Sequence, residues 1–196
     1  IESAILKEVK ALGVPSPAVF LTDTSRSQVP FAIQVMERIV AKDLNELDKY
    51  GTLDTTGVAV AIGTYIAKWQ DIKPLKYGLF NSNTLSVTGT LEGYHSTYAD
   101  YFYLNWDVHL DFLCSSGFIS ESLVTALREI LRRFDHLLEL SEGCLVHKDL
   151  AFWNILGSNT EIIAFIDWAD AISGDPTDDL SLLACFHPGE VVLSAI

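Results

Sequence analysis

Short apolar runs that enclose a polar loop constrain the fold of this chain more than any other feature. The segment from Leu145 to Leu156 reads LVHKDLAFWNIL, and a further apolar run, IIAFI, ends at Asp167. Short apolar runs bounded by turn residues are typical of buried strands. We therefore predict that His147–Ile155 is a loop that leaves one strand and enters another. Asp167 should lie at the end of a third strand, near the same cleft.

The polar residues of this loop form an H-x-D-x-x-x-x-N pattern, made by His147, Asp149 and Asn154. Phosphoryl transfer from ATP requires an acceptor hydroxyl held in line, a group that accepts its proton, and Mg²⁺ against the phosphates. A loop carboxylate can face the acceptor, while Asn154 and Asp167 can converge on a metal that prefers oxygen ligands. Taken singly, these residues could cap a turn or border a strand. Together they favour a phosphotransferase site.

The remaining pattern predicts an α+β protein with most of its helices in the C-terminal part. A helical stripe covers Glu2–Leu12, and the apolar runs Ala18–Leu21 and Phe31–Met36 predict a β-hairpin. Lys73–Gly93 has no sustained period and is predicted to be a loop. Further helices are predicted over Asp43–Tyr50, Val58–Trp69, Ser96–Leu113, Ser120–Leu138 and Asp178–Cys185. We divide the chain into a partial N-terminal lobe (1–36), a hinge (37–41) and a C-terminal catalytic lobe (42–196).

Charge and cysteine content narrow the class of partner. The 196 residues carry a net charge of −13, which argues against nucleic acid or an anionic membrane as the main partner. The charge is compatible with a cationic small-molecule acceptor, although solubility is the favoured explanation. No apolar run is long enough to cross a bilayer. The three cysteines are widely spaced, which indicates reduced thiols and a cytoplasmic location.

The catalytic-loop pattern resembles that of the aminoglycoside phosphotransferase and choline kinase superfamily, relatives of the protein kinases. The segment Gly174–Ser181, GDPTDDLS, is similar to the G-D-P-x-x-D-L-A stretch of that family. The resemblance implies a protein-kinase-like fold in which Asp149 is the catalytic base and His147 belongs to the catalytic loop. It also implies that Asn154 and Asp167 are Mg²⁺ ligands, and that Asp179 is a buried carboxylate that braces the loop. Asp175 and Asp178, by contrast, are expected only to form a turn and cap the next helix.

The resemblance extends to the N-terminal part of the chain. The segments VPSP (14–17) and PFAIQVMERI (30–39) are similar to the strands and hinge that end the family's N-terminal lobe. This similarity implies that adenine lies against Met36, with the Glu37 carbonyl and the Ile39 amide as hydrogen-bonding groups. Glu2 matches the helix glutamate that supports the ATP-contacting lysine.

The chain departs from the family pattern in ways that leave two interpretations of its function open. No glycine-rich phosphate loop and no strand lysine precede Glu2, so we expect weak nucleotide binding by the chain as it stands. Trp168 follows Asp167 where protein kinases have Phe-Gly, and there is no room for an activation loop, which disfavours a protein kinase. The preferred function is transfer of the terminal phosphoryl group of ATP or GTP to a small-molecule hydroxyl. The acceptor could be an aminoglycoside-like antibiotic or a metabolite; a catalytically inactive kinase-like fragment or binding module is the alternative.

Four further carboxylates are candidates for contact with a cationic acceptor, namely Glu92, Asp100, Asp107 and Asp111. Charges of this kind more often form the solvated face of a helix. The sequence leaves both interpretations open.

Overall fold

The N-terminal part of the chain is a helix followed by a β-hairpin, in a computed structural model that describes residues 1–196. Helix α1 (Glu2–Ala11) ends before Gly13, whose φ of +73° reverses the chain. Strands β1 (Val19–Asp23) and β2 (Ile33–Met36) then pair antiparallel. The predicted helix and hairpin are both confirmed.

The predicted helices after the hinge are also present. The two-residue strand β3 (Lys42–Asp43) leads into α2 (Leu44–Lys49), and α3 (Thr55–Trp69) follows. The Asp43 carboxylate caps α2 by accepting the Glu46 amide at 2.7 Å.

The predicted loop over Lys73–Gly93 is wrong, because this segment contains three short elements. They are β4 (Tyr77–Phe80), α4 (Ser82–Thr88) and β5 (Gly93–His95). Asn81 caps α4 at its start, and Gly89, with φ +72°, ends it. Each element is too short to show a hydrophobic period, so the capping residues of α4 are the only sequence features that indicate structure here.

The single helix predicted over Ser96–Leu113 is likewise wrong. The structure has two helices there, α5 (Tyr98–Phe102) and α6 (Trp106–Ser115), separated by a turn. The predicted helix that follows is confirmed as α7 (Glu121–Phe134), capped by Ser120 and continued by a short 3₁₀ turn.

The C-terminal third supplies the strands that carry the candidate site. Its elements are β6 (Cys144–Val146), β7 (Ile155–Gly157), β8 (Ile162–Phe165), β9 (Ile172–Gly174), α8 (Asp178–Phe186) and α9 (Gly189–Ala195). One sheet has the order β3-β7-β8 and another β5-β4-β9-β6, and every pairing within both is antiparallel. The predicted strands on both sides of the His147–Ile155 loop are confirmed.

One hydrophobic core joins the N-terminal helix to the strands around the loop. Trp69, at the end of α3, packs edge-on against Phe165 and Trp168, with ring centroids 5.1 and 5.2 Å away. Ile5 of α1 belongs to the same buried cluster. The loop residues are therefore positioned by a large aromatic core directly beneath them. None of the helices combines the length and apolarity needed to span a bilayer.

Candidate active site

Asp149 and Asn154 are in direct contact. The Asn154 side-chain nitrogen donates to the Asp149 carboxylate at 2.7 Å and to the Asp149 carbonyl at 2.8 Å. Both partners are acceptors, so the NH₂ end of the amide must face them. The amide oxygen Oδ1 consequently points away from Asp149, and it accepts no hydrogen bond within the chain. No buried side-chain nitrogen or oxygen lacks a partner, so Oδ1 is open to solvent.

Asp167 follows Ile166, whose backbone contacts both ends of the loop. The Ile166 amide donates to the Asn154 carbonyl at 3.0 Å, and the Ile166 carbonyl contacts the His147 ring at 2.9 Å. Asp167 itself has φ +62°, a left-handed conformation that is uncommon outside glycine. Its carboxylate is exposed and makes no hydrogen bond or ion pair. The backbone next to Asp167 therefore contacts both ends of the His147–Ile155 loop.

The available oxygens suit a hard cation such as Mg²⁺. The Asn154 amide oxygen and the Asp167 carboxylate are both uncommitted, and oxygen donors of this kind are what Mg²⁺ binds. No three His, Cys, Asp or Glu side chains of the chain form a metal-binding group. A metal here would take only one or two protein ligands, which is common for Mg²⁺ bound together with substrate phosphates.

His147 is fully buried and supports the loop rather than facing solvent. Its Nδ1 accepts the Asp149 amide at 3.3 Å, and its Nε2 lies 2.9 Å from the Ile166 carbonyl. The proton must therefore be on Nε2. Burial lowers the pKa of His147, so the neutral ring is favoured at neutral pH. With both ring nitrogens engaged, His147 ties the Asp149 backbone to the strand that leads to Asp167.

Asp179 braces the first half of the loop, as the resemblance implied. This fully buried carboxylate accepts the amides of His147 and Lys148, each at 3.1 Å, and the indole N–H of Trp69 at 3.0 Å. Burial raises the pKa of Asp179, and the three N–H donors oppose that rise. Lys148 has φ +69°, a conformation that the two bonds from its own and the preceding amide hold in place.

The predicted adenine-contacting residues lie at the end of β2. The Glu37 amide donates to the Ala18 carbonyl at 2.7 Å, and the Glu37 side chain accepts the Ala18 amide at 3.0 Å. The Glu37 carbonyl and the Ile39 amide make no hydrogen bond within the chain, and Met36 is 37% exposed. Glu2, on α1, accepts a bond from Gln34 of β2 at 3.0 Å.

An aromatic cavity of about 320 Å³ opens beside the loop at Lys148. Its walls include Tyr98, Tyr101, Phe102 and Trp106. Asp178 also lines it, accepting the Tyr98 hydroxyl at 2.9 Å and lying 3.8 Å from the Lys148 ammonium.

The expectation that Asp178 only caps a helix is therefore wrong, because its carboxylate contacts Tyr98 and Lys148 in the cavity wall. Burial raises its pKa, while Lys148 and Tyr98 lower it. Asp175, in contrast, forms the expected turn, accepting the Thr177 amide at 2.8 Å. The cavity combines aromatic residues of the segment 98–106 with Lys148 and Asp178, which are distant in sequence, so its composition depends on the fold.

The carboxylates that the sequence offered for a cationic acceptor are mostly engaged elsewhere. Asp107 and Asp111 both pair with Arg128, at 2.9 and 3.4 Å, and Glu92 pairs with Lys76. Asp107 and Asp111 are largely exposed, which agrees with the solvated-face interpretation, whereas the Glu92 side chain is mostly buried.

Comparison of the structure with solved structures identifies the fold. Aminoglycoside phosphotransferase APH(4)-Ia, solved with ADP and hygromycin B, matches with a TM-score of 0.65 and 16% identity, over 98% of this chain and 64% of that one. A candidate fructosamine-3-kinase from Thermobifida fusca matches with a TM-score of 0.61 and 19% identity, over 100% of this chain and 64% of that one. The chain thus spans less than two thirds of these relatives. The likeness confirms the expected α+β, kinase-like fold, with small sheets and mostly helical content.

Sequence comparison gives the family. No curated protein sequence gives a significant match. The profile of the phosphotransferase enzyme family (APH), however, matches residues 1–193, which is nearly the whole chain. The chain therefore belongs to the phosphotransferase enzyme family.

Proposed function

We propose that this chain carries the catalytic centre of an enzyme that moves the terminal phosphoryl group of ATP or GTP to a hydroxyl of a small molecule. The observation that carries the proposal is the Asp149–Asn154 contact at 2.7 Å, which leaves the Asn154 amide oxygen uncommitted. The Asp167 carboxylate, which follows the Ile166 backbone that contacts the loop, is also free of hydrogen bonds. One carboxylate is then available for the acceptor, and two oxygens remain for a cation.

Asp149 is proposed as the base that accepts or orients the acceptor proton. Its backbone is fixed on both sides, by the His147 ring and by the Asn154 amide, so its carboxylate needs little reorganisation. The single Asn154 N–H bond to the carboxylate leaves the remaining lone pairs for the acceptor hydroxyl.

Asn154 and Asp167 are proposed to hold Mg²⁺ together with the nucleotide phosphates. The bound metal would offset negative charge on the phosphates during transfer. The left-handed backbone at Asp167 gives its carboxylate a direction that an extended strand would not give it. Backbone strain of this kind is found at functional sites.

The nucleotide base is proposed to bind at the hinge, 37–41, between an N-terminal lobe at 1–36 and a catalytic lobe at 42–196. The unpaired Glu37 carbonyl and Ile39 amide form an acceptor–donor pair of the kind that adenine requires. Met36 would contact the ring face. Glu2 is proposed to support the lysine that contacts the nucleotide phosphates.

The aromatic cavity beside Lys148 is proposed as the acceptor site. Its rings offer apolar and π surfaces, and Asp178 offers a carboxylate that a cationic acceptor could pair with. Its lining residue Lys148 is the chain neighbour of Asp149, the proposed base.

A nucleotide-consumption screen of the protein at its full natural length tests the function. Hydroxyl-bearing antibiotics and metabolites would be supplied with Mg-ATP or Mg-GTP, with the Asp149→Asn variant run in parallel. We expect at least one acceptor to accelerate consumption in the wild type only. Acceptor binding without turnover in either protein would support the binding-module alternative instead.

A further inference from the structure

Helix α8 holds the catalytic loop at both of its ends. At its N-terminal end, Asp179 accepts the amides of His147 and Lys148, which precede Asp149. At its C-terminal end, His187 accepts the amide of Phe152, which follows Asp149. Asp179 and His187 are eight residues apart in sequence, so the two contacts are about 12 Å apart along the helix axis. The loop is thus fixed on both sides of its central carboxylate.

The contact at His187 is built from two interactions. The Phe152 amide donates to the imidazole Nε2 at 3.1 Å, and the two rings stack with centroids 3.8 Å apart and planes at 29°. Phe152 is 1% exposed and begins the 3₁₀ turn Phe152–Asn154. The first amide of such a turn has no partner inside the turn, so His187 supplies the acceptor that it lacks.

We propose that His187 is a positioning residue of this site: its neutral imidazole holds the Phe152–Asn154 turn so that the Asn154 amide meets the Asp149 carboxylate. This role rests on the proposed function, because it assumes that Asp149 and Asn154 take part in catalysis. The contact between His187 and Phe152 does not depend on that function. Asp179 was expected from the sequence, whereas nothing in the sequence pointed to His187.

The bond requires one protonation state. Nε2 accepts a hydrogen bond only when it carries no proton, so a protonated ring would present a donor to the Phe152 amide. Burial lowers the pKa of His187, and the nearby Asp48 carboxylate of α2 opposes this. Glu190 of α9 lines the polar cavity next to Phe152 together with Asp48. The turn should therefore loosen at acid pH, when His187 takes up a proton.

Amide hydrogen exchange at Phe152 tests the contact without any need for turnover. Three variants of the full chain are compared: His187→Ala, His187→Gln, whose amide oxygen reaches about as far as Nε2, and the exposed His136→Ala as a matched control. We expect the Phe152 amide to exchange about tenfold faster in His187→Ala, as loss of one hydrogen bond implies, and near the wild-type rate in the other two. In the wild type, protection beyond the intrinsic pH effect should be complete above about pH 6.5 and fall as the pH is lowered further, because burial lowers the pKa of His187.

Turnover in the full-length protein supplies the second readout. We expect kcat to fall in His187→Ala with an unchanged acceptor KM, and to recover in His187→Gln. Unchanged Phe152 protection in His187→Ala would overturn the proposal even if the enzyme is active. Loss of Phe152 protection without any measurable activity in the wild type would confirm the contact and count against the proposed function alone. If His187→Ala fails to fold, the His187→Gln variant and the wild-type pH series decide the question.

Discussion

Replacing Asp179 by alanine should destabilise the protein more than any other single loss of a carboxylate. The side chain is 0% exposed and accepts three N–H groups, from His147, Lys148 and Trp69. A buried donor left without a partner costs about 1–3 kcal/mol. Allowing for water that enters the space left by the carboxylate, we expect a loss of about 3–6 kcal/mol in the free energy of unfolding, a large share of the roughly 5–15 kcal/mol of a typical domain.

Urea denaturation measures this loss through a lower midpoint at an unchanged slope. The exposed Asp170, which makes no hydrogen bond, is the matched control, and Asp170→Ala should stay within about 0.5 kcal/mol of the wild type. In a Trp69→Phe background, which removes one of the three donors, Asp179→Ala should cost about 1 kcal/mol less. A loss below about 1 kcal/mol for Asp179→Ala alone would refute the argument that three buried donors depend on this carboxylate.

Three further outcomes follow from the packing and protonation of the site. Burial lowers the pKa of His147 and of His187, so the stability that these residues contribute should be present above about pH 6.5 and lost as pH falls through their folded-state pKa values. Thermal melts of the wild type and of His187→Gln across pH measure the His187 contribution. A difference in melting temperature that does not change with pH would contradict this prediction. Gly63→Ala should lower the free energy of unfolding by about 1–3 kcal/mol, because a Cβ at this position would meet a backbone carbonyl of α9. Helix propensity alone predicts a gain in stability, and such a gain in urea denaturation would show that this close approach is absent. Asn154→Asp places a second carboxylate against Asp149, so the acid limb of the pH–rate profile should move to higher pH, and an unmoved limb would count against Asp149 as the base.

The sequence predicted the strands and the loop of the site because local signals define them. The apolar runs on both sides of His147–Ile155 are short and bounded by turn residues, a pattern typical of buried strands. Asp43 and Ser120 likewise mark helix starts through hydrogen bonds to amides three residues ahead.

The missed features depend on contacts between distant parts of the chain. The Trp69 indole reaches Asp179 across 110 residues, and the Phe152 amide reaches His187 across 35. Neither contact leaves a spacing that a single sequence could reveal. The Lys73–Gly93 elements were missed for a different reason: β4 and α4 have four and seven residues, too few for a period to emerge.

The central claim is that Asp149 and Asp167 have different roles in phosphoryl transfer, and one comparison tests it most directly. Turnover and Mg-nucleotide affinity would be measured in the full-length protein for wild type, Asp149→Asn and Asp167→Asn, using ATP hydrolysis by water if no acceptor is known. Asp149→Asn should lower turnover by roughly 10²–10⁴-fold and leave nucleotide affinity nearly unchanged. Asp167→Asn should weaken Mg-nucleotide binding as well as turnover, because it removes a proposed metal ligand. Equal, mild effects of both substitutions, or near-wild-type turnover in Asp149→Asn, would contradict the account.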